Sequence, residues 1–209
     1  MSRHYELGLE EAMGLLAELG RRLAAEGIHA DVRLVGGIAV MLSGSERRTT
    51  KDIDASYAPK PDVERIAAQM AAELDLPGDW LNDHAKAFIP DGAEWVEVRT
   101  ATVTPLPGVG IGRADEKTLL AMKMAAERDG DLPDIAHLAR KLGLTEPEEL
   151  VAAAYEQYGE ASIPLSGDRD DYLIVAEEAL ARGRYWGRGV HLSSGPVLQI
   201  RPLDHFYLS

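Results

Sequence analysis

Apolar residues recur at helical spacing over the first part of the chain and predict an amphipathic helix that ends near Gly27. The residues on this stripe are Leu9, Met13, Leu16, Leu19 and Leu23. A second stripe follows Pro61 and Asp62 and predicts a helix as far as about Leu74. Between the two stripes, the short apolar run at residues 38–42 predicts a buried helix closed by Gly44.

Three further segments have the pattern of strands. Residues 32–35, 52–57 and 95–98 predict strands, the second because acidic or polar side chains alternate there with apolar ones. Residues 100–103 are a candidate extension of the last strand. Residues 76–82 predict a turn that leads into a short helix.

From residue 115 onwards the pattern is helical. One helix is indicated at residues 119–125, and a second at residues 133–142 is ended by the glycine at position 143. Residues 145–148 have the sequence of a capping box with a Pro inside, which predicts the start of a third helix. Residues 170–182 predict a fourth.

These patterns predict an α/β (α+β) fold, in which a small mixed sheet with flanking helices is followed by a helical subdomain. We expect the α/β core at residues 1–113, the helical subdomain at residues 114–183, and a tail rich in aromatic residues and glycine at residues 184–209. The tail carries three Arg against one Asp, so it is basic. The expected site lies in the cleft between the first two units.

Composition narrows the classes of function. The 209-residue chain has a net charge of −13, which counts against broad binding of RNA or DNA because nucleic-acid binders usually carry a basic patch. It contains no Cys, which excludes disulfides, zinc–thiolate sites and a cysteine nucleophile. Its apolar runs are too short to cross a membrane, and residues 1–6 lack the apolar core of a signal peptide. We therefore expect a cytoplasmic protein without a membrane partner.

A glycine pair and an aspartate pair mark the candidate active site. Gly36 and Gly37 lie between a predicted strand and the short helix, where glycine lets main-chain N–H groups approach phosphate oxygens. Asp52 and Asp54, the aspartate pair, are two residues apart on the next predicted strand and therefore point to one face. Such carboxylates repel each other, and Mg²⁺ bound between carboxylates and substrate phosphates relieves the repulsion.

This combination resembles the nucleotidyltransferase superfamily that includes DNA polymerase beta. The signature of that superfamily is Gly-Gly or Gly-Ser, a helix, and then Asp-x-Asp on the next strand, and Gly36-Gly37 with Asp52-Ile53-Asp54 matches it. Position 37 holds Gly where Ser is common, so main-chain amides must make the contact that a hydroxyl often makes. The structural alternative to this resemblance is an ordinary strand–helix–strand unit with polar loops.

The chemistry of the superfamily usually needs a third carboxylate on a neighbouring strand. Glu97 lies between two valines, so burial of the valines on one face sets Glu97 on the other. We expect it to face the aspartate pair as the third catalytic and metal-binding acid. Glu94 is the competing choice, and a surface charge that pairs with Arg99 is the structural alternative.

Lys123 lies mid-helix in a small and apolar stretch, so its side chain either extends to solvent or points at an anion. Asp131 and Asp134 follow, and starting the next helix is the structural alternative for Asp134. This order of Lys, Arg and Asp-x-x-Asp-Ile resembles the second half of the AbiEii-type nucleotidyltransferases, which include the MenT-type toxins of type IV toxin–antitoxin systems. The resemblance covers about residues 30–160 and implies that Lys123 binds the nucleotide, with Asp131 or Asp134 supporting the site.

Arg47, Arg48 and Lys51 lie beside the aspartate pair in the sequence. They are either solvated loop charges or groups that hold the phosphates of a nucleotide or an acceptor. We include Arg48 and Lys51 among the candidate nucleotide-binding residues.

The resemblance implies an Mg²⁺-dependent enzyme that moves a nucleotide from a nucleoside triphosphate to an acceptor, which for several relatives is the 3′ end of tRNA. It also implies a toxin-like role with a cognate antitoxin protein as partner. The alternative is a catalytically inactive module of the same fold, either a regulator or the neutralising partner in a two-protein system. The acidity of the chain suits a basic protein partner better than RNA.

Overall fold

The computed structural model describes residues 5–104, 106–160 and 162–187, with side chains as far as residue 183. Within these residues the chain has an α+β fold, as the sequence predicts. The strands are β1 (Leu7–Gly8), β2 (Ala30–Leu34), β3 (Thr49–Thr50), β4 (Ile53–Ala58), β5 (Leu81–Asn82), β6 (Trp95–Glu97) and β7 (Val109–Ala114). The helices are α1 (Leu9–Ala25), α2 (Gly36–Leu42), α3 (Lys60–Leu74), α4 (Glu116–Ala126), α5 (Leu132–Leu142), α6 (Pro147–Tyr158) and α7 (Arg169–Gly187), with 3₁₀ turns at His84–Phe88 and Asp129–Asp131.

Five strands of the described chain form a mixed sheet in the order β5-β4-β2-β7-β6. The central strand β2 is antiparallel to β4 and parallel to β7. At the two edges, β5 is parallel to β4 and β6 is antiparallel to β7. A separate pair, β1 and β3, brings the N-terminal segment next to the loop that precedes β4, with Leu7 opposite Thr50. The strand with Asp54 therefore lies beside one edge of the sheet, far from β6.

One face of the sheet is buried. Alternate side chains of β2, β4 and β7 point into the core, as the period of two residues requires; they are Val32, Leu34, Ile53, Ala55, Tyr57 and Ile111. The helices α1 and α3 pack against each other, α1 contacts β7, and α3 contacts β4. The intervening residues of these strands, which include Asp31 and Arg33, point the other way and are less buried.

Helix α1 follows the predicted stripe. Its leucines Leu16, Leu19 and Leu23 are fully buried, and each contributes about 1.5–3 kcal/mol by leaving water. The helix gives way to a turn in which Gly27 adopts a φ of +69°, a conformation that favours glycine. The local sequence therefore predicts both the buried face of α1 and the position near Gly27 where the helix ends.

The helices that follow the sheet pack as a group, with α4 against α5 and α6, and α7 against α5 and α6. Asp115 begins α4 by accepting a hydrogen bond from the Thr118 main-chain N–H at 2.8 Å. A capping box is present at the start of α6, with Glu146 as the N-cap and Glu149 as its partner, so it lies one residue later than the sequence pattern suggests. Gly143 ends α5 as predicted.

Four strands of the described chain were not predicted from the sequence, namely β1, β3, β5 and β7. Residues 76–82, predicted as a turn, contain β5, and a 3₁₀ turn rather than an α-helix follows it. Strand β7 was not predicted because glycines, which are uncommon within strands, occupy the positions after its buried residues Val109 and Ile111. The extension predicted for residues 100–103 is wrong, because that segment folds back and the Thr100 N–H donates to the Val103 carbonyl.

The end of the chain differs from prediction in one respect. Helix α7 runs through Gly187 and not only to residue 182, so it enters the segment assigned to the basic tail. Residues 188–209 of that tail lie outside the described residues. Among the residues that are described, no helix has both the length and the apolar character needed to cross a bilayer.

Candidate active site

A cleft of about 740 Å³ lies between the β3–β4 region with the start of α2 on one side and α4 on the other. Its size is that of a pocket for a small organic ligand. The cleft brings together most of the site residues expected from the sequence, namely Gly36, Gly37, Lys51, Asp52, Asp54, Lys123 and Asp131.

The glycine pair forms the turn at the start of α2, and close packing explains why neither residue has a side chain. Gly36 has a φ of +62°, and a Cβ atom built on it would lie 2.5 Å from Oδ2 of Asp54. A Cβ on Gly37 would lie 2.6 Å from Oγ1 of Thr50. The first N–H groups of a helix have no partner within the helix, so the glycine turn leaves main-chain donors beside the carboxylate of Asp54.

The aspartate pair is held by its strand and by one buried amide. Ile53 and Ala55 point into the core, which sets Asp54 on the opposite face of β4. Asp52 lies one residue before β4 and accepts a hydrogen bond of 3.0 Å from Nδ2 of Asn82, which is buried on the neighbouring strand β5. A polar but uncharged group therefore orients Asp52.

In the absence of a cation, the surroundings of Asp54 disfavour the ionised form of its carboxyl. Burial raises its pKa above the usual range, and the charge of Asp52 raises that pKa further. The more distant charges of Lys123, His84 and Arg128 act in the opposite direction. Among the described residues, no cationic side chain comes within salt-bridge distance of either member of the aspartate pair.

The donor set of the aspartate pair fits Mg²⁺. Both groups are carboxylates, which hard cations prefer, and a cation would remove the repulsion that raises the pKa of Asp54. The described residues contain no group of three or more His, Cys, Asp or Glu side chains arranged to hold a metal. Two protein carboxylates with water and substrate oxygens is nevertheless a common arrangement for Mg²⁺.

Lys123 does not extend to solvent. Its ammonium group lies 2.5 Å from Oδ1 of Asp131 and 3.1 Å from Oδ2 of Asp134, and all three side chains are nearly buried. Arg47 joins the same cluster through a 2.7 Å ion pair with Oδ2 of Asp134. Asp134 therefore pairs with both Lys123 and Arg47, Asp131 pairs with Lys123, and the two cations line the cleft.

The basic residues expected near the aspartate pair separate into different positions. Arg47 and Lys51 line the cleft, and Arg47 lies so close to the glycine turn that a Cβ on Gly37 would be 3.3 Å from its Cζ. Its Nε donates to the Thr49 carbonyl at 3.0 Å. Arg48 is exposed and lies outside the cleft lining, whereas Arg47 is part of that lining.

The position predicted for Glu97 is wrong. Glu97 lies on β6, and the register places it in line with Gly112, Arg33 and Ser56, on the same face of the sheet as Asp54. Two strands separate β6 from β4, which corresponds to a distance of about 14 Å. Glu97 is exposed and forms an ion pair of 2.8 Å with Arg99, the alternative that the sequence analysis left open.

Glu94, the competing choice for a third acid, is also exposed and precedes β6, so it shares the remote edge of the sheet. Glu97 lies on the expected face of the sheet, but its strand β6 is not a neighbour of β4. The strand beside β4 is β5, which supplies the amide of Asn82 and not a carboxylate.

Further residues line the cleft without having been identified as site residues from the sequence, and among them are Glu6, His84, Phe88 and Arg128. Glu6 arrives with the pairing of β1 and β3, and Thr49 Oγ1 donates to its Oε2 at 3.2 Å. His84 and Phe88 lie at the two ends of one 3₁₀ turn. A sequence signal existed only for Arg128, which is the Arg of the Lys–Arg–Asp pattern.

The other end of α2 is fixed to α5. Ser43 Oγ and His137 Nε2 are 2.9 Å apart, and Lys141 donates to the Ser43 carbonyl at 2.8 Å. Burial lowers the pKa of His137, so its imidazole is neutral near pH 7. Because α5 also carries Asp134, this contact fixes the glycine turn relative to the cluster around Lys123.

Comparison of the chain with models of known protein families, with characterised proteins and with solved structures finds no match.

Proposed function

We propose that this protein is a metal-dependent nucleotidyltransferase that moves a nucleotide from a nucleoside triphosphate to an acceptor hydroxyl. The observation that carries the proposal is the approach of the glycine turn to the aspartate pair, since a Cβ on Gly36 would lie 2.5 Å from Asp54. A phosphate bound to the main-chain N–H groups of this turn would lie directly against the two carboxylates. Such a contact is favourable only if a cation lies between them.

In this mechanism the main-chain amides at Gly36 and Gly37 hold the phosphates, and Arg47 and Lys51 add positive charge from the same side of the cleft. Asp52 and Asp54 would hold Mg²⁺, which when bound supplies charge stabilisation for the transferring phosphoryl group. Asn82 keeps the carboxylate of Asp52 oriented.

The acceptor hydroxyl gives up its proton to the carboxylate of Asp54 as its oxygen forms a bond to the α-phosphorus. The bond between the α-phosphorus and the bridging oxygen breaks, and diphosphate leaves. Atoms and charge balance without an additional reactant.

For the acceptor, we propose tRNA, and with it a toxin-like role opposed by an antitoxin protein. This part of the proposal rests on the resemblance over residues 30–160 to the AbiEii-type enzymes. The net charge of −13 means that RNA would be captured by local basic groups at the cleft and not by the surface as a whole.

A second candidate is a binding module of the same fold without catalytic activity. Two observations favour it. Among the described residues, no group of three or more metal-ligating side chains is arranged to hold a metal, and Glu97 is remote from the aspartate pair. In addition, the ammonium of Lys123 is already neutralised by Asp131 and Asp134, which leaves it less available to a triphosphate.

The test is to incubate the pure protein with each labelled nucleoside triphosphate, Mg²⁺ and total tRNA, with Asp54→Asn as the negative control. We expect Mg²⁺-dependent transfer of label to RNA by the wild-type protein only. Mg²⁺-dependent nucleotide binding without transfer to RNA, protein or small molecules would favour the binding module. No Mg²⁺-dependent binding of any nucleotide would refute the enzyme and leave the module, because a degenerate module need not bind a nucleotide.

A further inference from the structure

The cleft has a second, apolar half that the proposed chemistry does not use. Leu119, Met122 and Ala126 of α4 are spaced by three and four residues, so they share one helix face, and all three line the cleft. The 3₁₀ turn His84–Phe88 contributes Ala85 and Phe88 to the same lining. The cleft thus joins a wall of carboxylates and cations to a wall of apolar side chains.

Phe88 is the large apolar residue of this wall that remains in contact with solvent. Its exposed fraction is 52%, whereas that of Leu119 at the base of the wall is 1%. The ring is not fixed by burial; instead, the Tyr158 hydroxyl on α6 donates to the Phe88 carbonyl at 2.5 Å and holds the main chain of the turn. The position of the ring at the cleft is thereby maintained while its face stays accessible.

A ligand that fits both walls must be anionic at one end and flat and apolar at the other. A nucleoside triphosphate has this form, and a cleft of about 740 Å³ is large enough for it. We propose that Phe88 stacks on the base of the nucleoside triphosphate, with Met122 forming the rest of the base subsite. This inference rests on the proposed function, and it specifies how the substrate of that site is held.

The same wall indicates that the bases are poorly distinguished. Every base has a π-face, so stacking on an aromatic ring tolerates all four. Selection among bases needs side chains that match their hydrogen-bonding edges, and the apolar wall formed by Ala85, Phe88, Leu119, Met122 and Ala126 offers no such side chain. The affinity that Phe88 provides should therefore be shared by the four nucleoside triphosphates.

The experiment measures binding of the four nucleoside triphosphates and of inorganic tripolyphosphate, with Ca²⁺ replacing Mg²⁺ to slow turnover. Phe88→Ala should weaken binding of all four nucleotides by roughly 5- to 150-fold, the range for loss of one stacked base. Binding of tripolyphosphate should be unchanged. Phe88→Trp should retain the nucleotide affinity, and Phe88→Leu, which keeps an apolar side chain without a π-face, should lose most of it.

Val96→Ala is the matched control, because Val96 is a comparably exposed apolar residue on the remote strand β6. Unchanged nucleotide affinity in Phe88→Ala would overturn the stacking inference and leave the proposed function standing. An equal loss of tripolyphosphate and nucleotide binding in the Ala and Leu variants would also overturn it, because the effect would then be structural. Failure of the wild-type protein to bind either probe would overturn the inference and the proposed function together.

Discussion

Two pairs of aspartates lie at the same cleft and have opposite electrostatic surroundings. Asp131 and Asp134 are neutralised by Lys123 and Arg47 at ion-pair distances of 2.5–3.1 Å. The aspartate pair receives one neutral amide, from Asn82, and no described cation within ion-pair distance. The charges of Asp131 and Asp134 are therefore balanced by side chains of the folded protein itself. The aspartate pair carries negative charge that no described side chain neutralises by an ion pair.

The difference between the two pairs is tested most directly by replacing one aspartate of each pair with the neutral residue Asn. Asp52→Asn or Asp54→Asn should reduce nucleotide transfer by more than about 100-fold, because a direct metal ligand matters more than the outer-shell groups whose loss costs 10- to 100-fold. Asp131→Asn should reduce it far less, because Lys123 keeps its contact with Asp134. Initial rates with labelled nucleotide measure the difference, and equal losses in the three variants would contradict the assignment.

The second prediction concerns stability. Asp134→Ala removes a carboxylate that is 4% exposed and leaves Lys123 and Arg47 beside each other with one partner fewer. We expect the free energy of unfolding to fall by about 3 kcal/mol, the lower end of the range for breaking a buried ion pair. Urea denaturation measures the loss.

A double variant controls for the loss of packing. In Asp134→Ala combined with Lys123→Met, the unpaired ammonium is gone, so part of the stability should return. A loss below about 0.5 kcal/mol in the single variant, the level of an ordinary surface substitution, would show that the cluster around Lys123 is not structural.

Much of this site could be predicted because it is local in sequence. Gly36 and Asp54 belong to α2 and β4, which are close in the sequence with only the short strand β3 between them, so their meeting requires no knowledge of the remaining sheet. The position of Glu97 relative to Asp54 depends on the strands that separate β6 from β4. One of these is β7, which the sequence pattern does not predict because it contains two glycines. Phe88 reaches the cleft only through tertiary packing, for which a sequence pattern of a few residues has no signal.

The third prediction concerns the amide that supports the aspartate pair. Asn82→Ala removes the hydrogen bond to Asp52, which should lower the free energy of unfolding by about 1.5 kcal/mol, as for a hydrogen bond to a charged group. The Mg²⁺ concentration needed for half-maximal transfer should rise by roughly 10-fold, because Asp52 is no longer oriented. Unchanged metal dependence would mean that Asn82 stabilises the fold without positioning Asp52.

The smallest effect is a dependence of stability on pH. The pKa of Asp54 is raised in the folded protein, so its ionisation costs stability when the pH lies above that raised value. In metal-free buffer at neutral pH, Asp54→Asn should therefore be slightly more stable than the wild type. The advantage should disappear as the pH falls through the ordinary pKa of Asp, about 4, where the carboxyl is neutral in both states.

Denaturation of the two proteins in chelator, followed from pH 7 down to the onset of acid unfolding, measures this difference. Mg²⁺ should reverse its sign by stabilising the wild-type protein alone. A difference that is independent of pH would show that the charge of Asp54 is not its cause.

The order of strands in the sheet has a consequence for the assembly of the protein. Strand β2 first meets β4, its neighbour along the chain, and later meets β7, which is synthesised only after most of the α/β unit. A growing chain can therefore pair β2 with β4 and form the glycine turn before the sheet is complete. The free edge of β2 must wait, exposed and able to pair wrongly, until β7 arrives. We expect the pairing of β7 with β2 to limit the rate of folding, because pairing between segments that are far apart in the sequence is slow.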